Sequence, residues 1–145
     1  MNNTLTVEKL FSGRLLRVPD YQRGYAWDKK NWTDFLEDLD LLPRGKHHYT
    51  GTVVLDRVTK PPEGEAPEPT VWDVSGFGYE VFNIVDGQQR LTPVVLLLDA
   101  IRRELARFPE QGPLARGTTA AYVRVLTAAG ESLHKLELNA DTNGF

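Results

Sequence analysis

The chain of 145 residues contains no cysteine, and this absence excludes several kinds of site. Without cysteine there is no disulfide framework, no thiolate zinc site and no cysteine nucleophile. We therefore expect a protein of the reducing cytoplasm. Long hydrophobic runs are also missing, because the longest, residues 94–98, is far shorter than the roughly 20 residues that a membrane helix needs. Residues 1–4 do not resemble a signal peptide, so no membrane association is predicted.

The chain also lacks an excess of positive charge. Lysine and arginine number 17 against 20 for aspartate and glutamate, which leaves a net charge of −3. A bulk-basic nucleic-acid binder is therefore excluded, and any contact with DNA must use a local patch. One candidate patch is the set of arginines after Ile101, although such a run is usually a solvated face. Its members are Arg102, Arg103, Arg107, Arg116 and Arg124.

No standard hydrolytic triad, convincing pair of catalytic carboxylates or metal site is recognisable. His47 and His48 stand together, but no third ligand follows at a familiar spacing, so a solvated loop is predicted there.

The elements that do stand out predict a single α+β domain over residues 1–145. Helices are predicted over residues 5–11 and 29–42, in a long segment that ends at about 108, and over 120–129. Strands are predicted over residues 14–18, 49–58, 71–74, 79–85 and 134–138, with a proline-rich exposed loop over 60–69 and a turn over 75–78. Asp28 is the predicted N-cap of the second helix. The expected apolar stripes are Trp32, Phe35, Leu36 and Leu39 on that helix, and Val95, Leu98, Ile101, Leu105 and Phe108 on the long one.

Residues 84–92 are the first segment with recognisable chemistry. An apolar strand runs into a polar stretch that opens the long helix: Asp86, Gly87, Gln88, Gln89 and Arg90. A glycine turn at this junction offers backbone N–H groups at the positive end of a helix dipole, which favours an anion. Arg90 can bind a phosphate through two hydrogen bonds, and Asp86 can orient a water or a metal ion. The spacing is not that of a P-loop, and in the alternative interpretation the segment only forms a turn and caps the helix.

Residues 18–27 are the second such segment. Tyr21, Gln22 and Arg23 cluster beside a proline, which predicts an exposed surface where an aromatic ring stacks on a base and an arginine neutralises phosphate. Trp27 is expected instead to pack at the start of the next helix. Residues 50–52, Thr-Gly-Thr, either allow a backbone to approach a ligand or simply begin a strand.

Together the two segments resemble a known family. Residues 19–27 with 35–39 resemble the opening of the DGQQR-motif domain, and residues 86–92 contain its signature in full. That domain is the N-terminal part of GmrSD-type modification-dependent restriction enzymes and of SspE-like phosphorothioate-sensing proteins. The resemblance covers nearly the whole chain, because residues 135–138 also stand where the family has a strand.

The resemblance implies a ParB/sulfiredoxin-like fold, a mixed sheet with flanking helices, that binds and hydrolyses a nucleoside triphosphate. GTP is the expected nucleotide, with Mg²⁺ as a further expected cofactor. It also implies that the chain is the N-terminal fragment of a longer anti-phage protein with a C-terminal HNH-type nuclease. A monomer and an oligomer both stay open as partner states. No His-Asn-His cluster occurs here, so this fragment is expected not to cleave DNA.

Carried over by motif, the nucleotide and catalytic residues are Asp86, Gly87, Gln88, Gln89 and Arg90, with Arg23 as a second phosphate ligand. Tyr21, Gln22 and Arg23 are the expected contacts to modified double-stranded DNA, and we favour a phosphorothioate over glucosylated hydroxymethylcytosine. One departure stands after the motif, where Pro93 replaces the usual second threonine. Thr92 as N-cap with Pro93 at the first helical position would start the helix there and leave the motif in a loop.

Two other functions remain open at this point. The chain could be a non-catalytic DNA-binding or regulatory module in which the DGQQR motif is structural. A partition-type switch is disfavoured, because no helix-turn-helix segment is recognisable.

Overall fold

The computed structural model of the chain describes residues 4–58, 79–127 and 130–139. The predicted loop over 60–69, the strand over 71–74 and the turn over 75–78 lie outside these residues. The helices are α1 (Val7–Phe11), α2 (Lys29–Asp40), α3 (Gln88–Leu105) and α4 (Gly112–Thr118). A 3₁₀ turn (Pro109–Gln111) precedes α4, and a π-helical turn (Thr119–Val123) follows it. No helix within the described residues is both long and apolar enough to cross a membrane.

Within the part of the chain that the structure describes, six strands form one sheet and one hairpin. They are β1 (Arg14–Arg17), β2 (Val54–Arg57), β3 (Glu80–Asp86), β4 (Arg124–Leu126), β5 (Ser132–His134) and β6 (Leu136–Glu137). The four-stranded sheet has the order β2-β3-β1-β6, and β4 pairs with β5 separately. β1 is parallel to both neighbours, whereas β2 is antiparallel to β3. The sheet is therefore mixed and flanked by helices, which confirms the predicted α+β class.

Both faces of this sheet are covered. Leu15 and Leu16 are adjacent in β1 and point to opposite faces, since side chains alternate along a strand. Leu16 belongs to the larger core, whose buried members are Phe11, Leu16, Val18, Ile84, Leu91 and Leu136. Leu15 belongs to a smaller cluster with Val81 and Val125. The larger core thus anchors the end of β3 and the first turn of α3, which places the DGQQR segment on rigid elements.

The start of α2 agrees with its sequence signals. Asp28 is the N-cap: its carboxylate accepts from the backbone N–H of Asn31 at 2.9 Å, and the Asn31 side chain accepts from the Asp28 N–H at 3.1 Å. This reciprocal capping box fixes the point at which the loop of residues 18–27 becomes a helix. Phe35 is the buried residue of α2, while Leu36 is exposed.

The long helix has its predicted start but not its full predicted stripe. α3 begins at Gln88, with Gly87 as N-cap, so the polar stretch opens the helix as predicted, and the alternative start at Thr92 and Pro93 was wrong. Pro93 lies inside the helix, where its ring is fully buried. The predicted stripe also fails toward the C-terminus, because Ile101 and Phe108 are exposed.

The region after α4 shows the largest difference. A helix was predicted over 120–129, but the π-helical turn and β4 occupy this region up to Leu126, and residues 128–129 lie outside the described part of the chain. The predicted strand over 134–138 is split into β5 and β6. β5 pairs with β4, and β6 pairs with β1. Lys135 stands between the two strands with its buried ammonium donating to the carbonyls of Phe11 at 2.9 Å and Ala121 at 3.0 Å. Desolvation lowers the pKa of Lys135.

Candidate functional site

The DGQQR segment forms a strand–turn–helix junction. Asp86 ends β3, Gly87 has a φ of 100°, and α3 begins at Gln88. Glycine is required at this turn for two reasons. Few L-residues adopt that φ, and a Cβ would lie 2.8 Å from the Thr52 carbonyl oxygen. Because the helix begins at Gln88, the N–H groups of its first turn lie at the motif, where a helix dipole favours negative charge.

The two glutamine side chains hold the second segment. Gln88 Nε2 donates to the Arg23 carbonyl at 2.7 Å, and Gln89 Nε2 donates to the Gly24 carbonyl at 3.0 Å. Gln89 Oε1 also accepts from the Ala26 N–H at 3.1 Å. Gln88 is only 8% exposed, so its amide is committed to this contact. The side chains of Gln88 and Gln89 therefore have a structural role, because they bind the backbone of residues 23–26. The backbone of the same two residues still forms the start of α3.

Two further hydrogen bonds fix the same loop, which we call the 21–27 loop. Gln22 Nε2 donates to the Val85 carbonyl at 2.9 Å, and Asn139 Nδ2 donates to the Gln22 carbonyl at 2.6 Å. Asn139 is buried. Sequence reasoning missed Asn139, because nothing local to residues 136–139 indicates a contact with a loop more than a hundred positions away.

Arg90 is held differently from the glutamines. Its Nη1 donates to the Thr52 carbonyl at 3.0 Å, and its side chain crosses Gly51, where a Cβ would lie 2.5 Å from Cδ. Gly51 has a φ of 115°. The Thr-Gly-Thr segment thus lets the Arg90 side chain approach the backbone closely. The rest of the exposed guanidinium remains available for a ligand.

These residues surround one cavity of about 270 Å³. Its lining consists of Gln22, Arg23, Ile84, Val85, Asp86, Gly87, Gln88, Gln89 and Arg90. Among the described residues, no carboxylate forms an ion pair with Arg23 or Arg90. Two arginines and the start of a helix therefore meet in one polar cavity, an arrangement suited to a phosphorylated ligand.

The 21–27 loop has an exposed first half and a packed second half. Tyr21 is 77% exposed and stands beside the cavity rather than in its lining. Trp27 packs edge-on against Trp32 and Phe35, with ring centroids 5.5 and 5.6 Å apart, which confirms the expected packing of Trp27 at the start of α2. Burial raises the pKa of Tyr25 to about 12, so its hydroxyl stays protonated at neutral pH.

Replacing Gln89 with alanine should release the 21–27 loop from α3. Two hydrogen bonds between uncharged groups are lost, each worth about 0.5–1.5 kcal/mol, so local opening becomes more frequent. We expect trypsin to cut after Arg23 about fivefold faster or more, measured as the initial rate of that cleavage by mass spectrometry. Gln111→Ala, in the 3₁₀ turn, is the matched control and should leave the rate unchanged. An unaltered rate in Gln89→Ala would show that Gln89 does not hold the loop.

The fold and the cavity define a class of protein: an α+β domain with a polar, cationic site at a strand–helix junction. The family model described as the N-terminal domain of the GmrSD restriction endonuclease matches residues 7–143, and the chain belongs to that family. Comparison with curated proteins found no match. Membership of the family places the chain in a restriction system, as the DGQQR resemblance implied.

Proposed function

We propose that this chain binds and hydrolyses a nucleoside triphosphate, GTP by expectation, and couples that turnover to the sensing of modified DNA. The observation that carries the proposal is the convergence of Arg23, Arg90 and the start of α3 on the cavity at the DGQQR motif. The proposal also takes the chain to act with a C-terminal nuclease domain that cuts the DNA.

Each group in the cavity has a chemical role in this proposal. The N–H groups of Gln88 and Gln89 bind phosphate oxygens, and Arg23 and Arg90 neutralise their charge through charge-assisted hydrogen bonds. Asp86 is exposed at the rim and orients the attacking water or a Mg²⁺ ion. No group of three or more His, Cys, Asp or Glu among the described residues could hold a metal by itself. A Mg²⁺ ion here would therefore rely on phosphate oxygens and water for its other ligands, as Mg²⁺ commonly does.

The hydrogen bonds between the motif and the 21–27 loop provide the coupling. The proposed DNA contacts are Tyr21, Gln22 and Arg23. In the same loop, the backbone carbonyls of Arg23 and Gly24 accept hydrogen bonds from the two glutamine side chains of the motif. A DNA contact that shifts this loop would shift the start of α3 with it. This supports a role for Gln88 and Gln89 in transmitting the DNA signal rather than in touching the phosphates with their side chains.

Phosphorothioate DNA is the favoured modification. Its sulfur is larger and less strongly hydrated than oxygen, and an exposed aromatic ring beside a cation suits it. Because the chain is acidic overall, discrimination must come from such a small local surface rather than from general attraction to DNA.

Phosphate release from GTP tests this function directly. The chain should hydrolyse GTP above background, and a duplex with one phosphorothioate should stimulate the rate more than an otherwise identical duplex. Tyr21→Ala should reduce that difference, whereas Phe108→Ala, an exposed aromatic residue beyond the far end of α3, should preserve it. A third duplex with glucosylated hydroxymethylcytosine tests the other modification.

Other outcomes of this experiment point elsewhere. Nucleotide binding without turnover would favour the non-catalytic regulatory module, which the structural use of the two glutamines also supports. Equal responses to all duplexes, or a difference that survives both Tyr21→Ala and Gln22→Ala, would contradict sensing by the 21–27 loop. The arginines after Ile101 would then be the next candidate surface.

A further inference from the structure

A second cavity of about 290 Å³ adjoins the first. It is lined by Trp27, Asn31, Asp34, Phe35, Asp38, His48, Thr50 and Arg90. Arg90 belongs to the lining of both cavities. The two cavities therefore share one arginine side chain, which the Thr52 carbonyl holds in place.

The two cavities differ in charge. The first contains Arg23, Asp86 and the start of α3. The second contains two carboxylates, Asp34 and Asp38, which lie one helical turn apart on the same face of α2. With Arg90 common to both, arginines outnumber carboxylates in the first cavity, and carboxylates outnumber arginines in the second. Asp34 pairs with Lys30 at 2.7 Å on the exposed side of the helix. Among the described residues, no cation pairs with Asp38. A triphosphate is repelled by such carboxylates, so the second cavity is suited to a neutral ligand that donates hydrogen bonds.

The second cavity also has an aromatic wall. Trp27 and Phe35 pack at a centroid distance of 5.6 Å, and the His48 ring lies 6.1 Å from Phe35. Any planar aromatic ligand can stack on such side chains, whatever its substituents. Polar groups at the edge of the cavity then decide which ring is accepted.

We propose that this second cavity holds the nucleobase of the nucleotide whose phosphates bind at the DGQQR motif, and that Asp38 selects guanine. The inference rests on the proposed nucleotide-binding function. A carboxylate has two acceptor oxygens and matches two neighbouring N–H donors. Guanine presents such a pair, N1–H and the 2-amino group, on one edge. Uracil presents one N–H between two carbonyls, which a carboxylate repels, and adenine presents an amino group beside an acceptor nitrogen.

Nucleotide binding to the 145-residue chain, followed by isothermal titration calorimetry, tests this assignment. Wild-type protein should bind GTP more tightly than ITP, which lacks the 2-amino group, and should bind ATP and UTP weakly. Asp38→Asn should lower the affinity for GTP about ten- to a hundredfold, as expected for the loss of a charge-assisted pair of hydrogen bonds. The same variant should gain affinity for XTP, because the new amide can donate to the xanthine 2-oxygen. Asp40→Asn, on the same helix but outside the cavity lining, is the matched control and should behave as wild type.

The outcomes separate this inference from the function on which it rests. Binding that depends on Arg90 but does not distinguish GTP, ITP and UTP would overturn the assignment of the base cavity and leave the phosphate site standing. A base preference that Asp38→Asn does not alter would overturn the role of Asp38. If wild-type protein binds none of the nucleotides, the proposed function fails as well. Circular dichroism of each variant checks that a loss of affinity does not reflect unfolding.

Discussion

Replacing Arg90 with alanine should lower the affinity for a nucleoside triphosphate about ten- to a hundredfold, because a charge-assisted phosphate contact is worth about 1.5–3 kcal/mol. Among the described residues, Arg90 is the one side chain that lines both cavities, so its loss affects the phosphates and the boundary with the proposed base cavity together. Stability should change little, since within the described residues the side chain makes one exposed hydrogen bond, to the Thr52 carbonyl. Calorimetric titration measures the affinity, and a urea titration measures the stability.

The control for this prediction is Arg107→Ala. Arg107 is exposed near the other end of α3, where it pairs with Glu104 at 3.1 Å. The substitution removes the same charge as Arg90→Ala, but at a residue that lines neither cavity. Its affinity for nucleotide should equal that of wild type. A folded Arg90→Ala protein that binds nucleotide normally would contradict the phosphate site at the motif.

Replacing Gly87 with alanine should destabilise the fold by about 2–5 kcal/mol, combining backbone strain with overpacking at one position. The φ of 100° is unfavourable for alanine, and its Cβ would stand 2.8 Å from the Thr52 carbonyl oxygen and 3.0 Å from the Val53 Cα. Both obstacles are backbone atoms, so a small side-chain movement gives no relief. Because Thr52 also positions Arg90, nucleotide affinity should fall too. A urea titration gives the change in the free energy of unfolding.

Gly117→Ala provides a control of opposite sign. Gly117 lies in α4 with a helical φ, and nothing lies within 4 Å of where its Cβ would be. Alanine there should stabilise the protein by about 0.5–1 kcal/mol, since glycine is a poor helix former. Equal effects at the two glycines would show that the close approach at Gly87 is not what requires glycine.

Several features of the site were predictable because they depend on local chemistry. The Asp-Gly turn after an apolar strand predicted the junction between β3 and α3, and Asp28 predicted the start of α2. Thr92 and Pro93 indicated an alternative helix start by an equally sound local signal, yet the helix begins at Gln88. Burial of Gln88 and its bond to the Arg23 carbonyl stabilise an earlier turn, and that contact joins residues 65 positions apart.

The secondary structure predicted for the region after α4 was also wrong, because tertiary contacts decided it. Residues 120–129 have an acceptable helical composition, but Val123 and Val125 are both buried, Val125 belongs to the smaller core cluster, and β4 pairs with β5. The strand predicted over 134–138 lacked a visible partner, because its residues pair with earlier strands: β5 with the neighbouring β4, and β6 with the distant β1. Strand pairing outweighed the local helical preference in this region.

The sequence by itself determined the α+β class, the DGQQR junction and the family, because these depend on residue order and on patterns within about ten residues. The tertiary structure decided what the motif residues do. It committed the glutamine side chains to the 21–27 loop, left the arginines facing a cavity, and placed two carboxylates of α2 in one cavity with Arg90. These arrangements depend on hydrogen bonds and packing between residues dozens of positions apart, and no local periodicity encodes such distances.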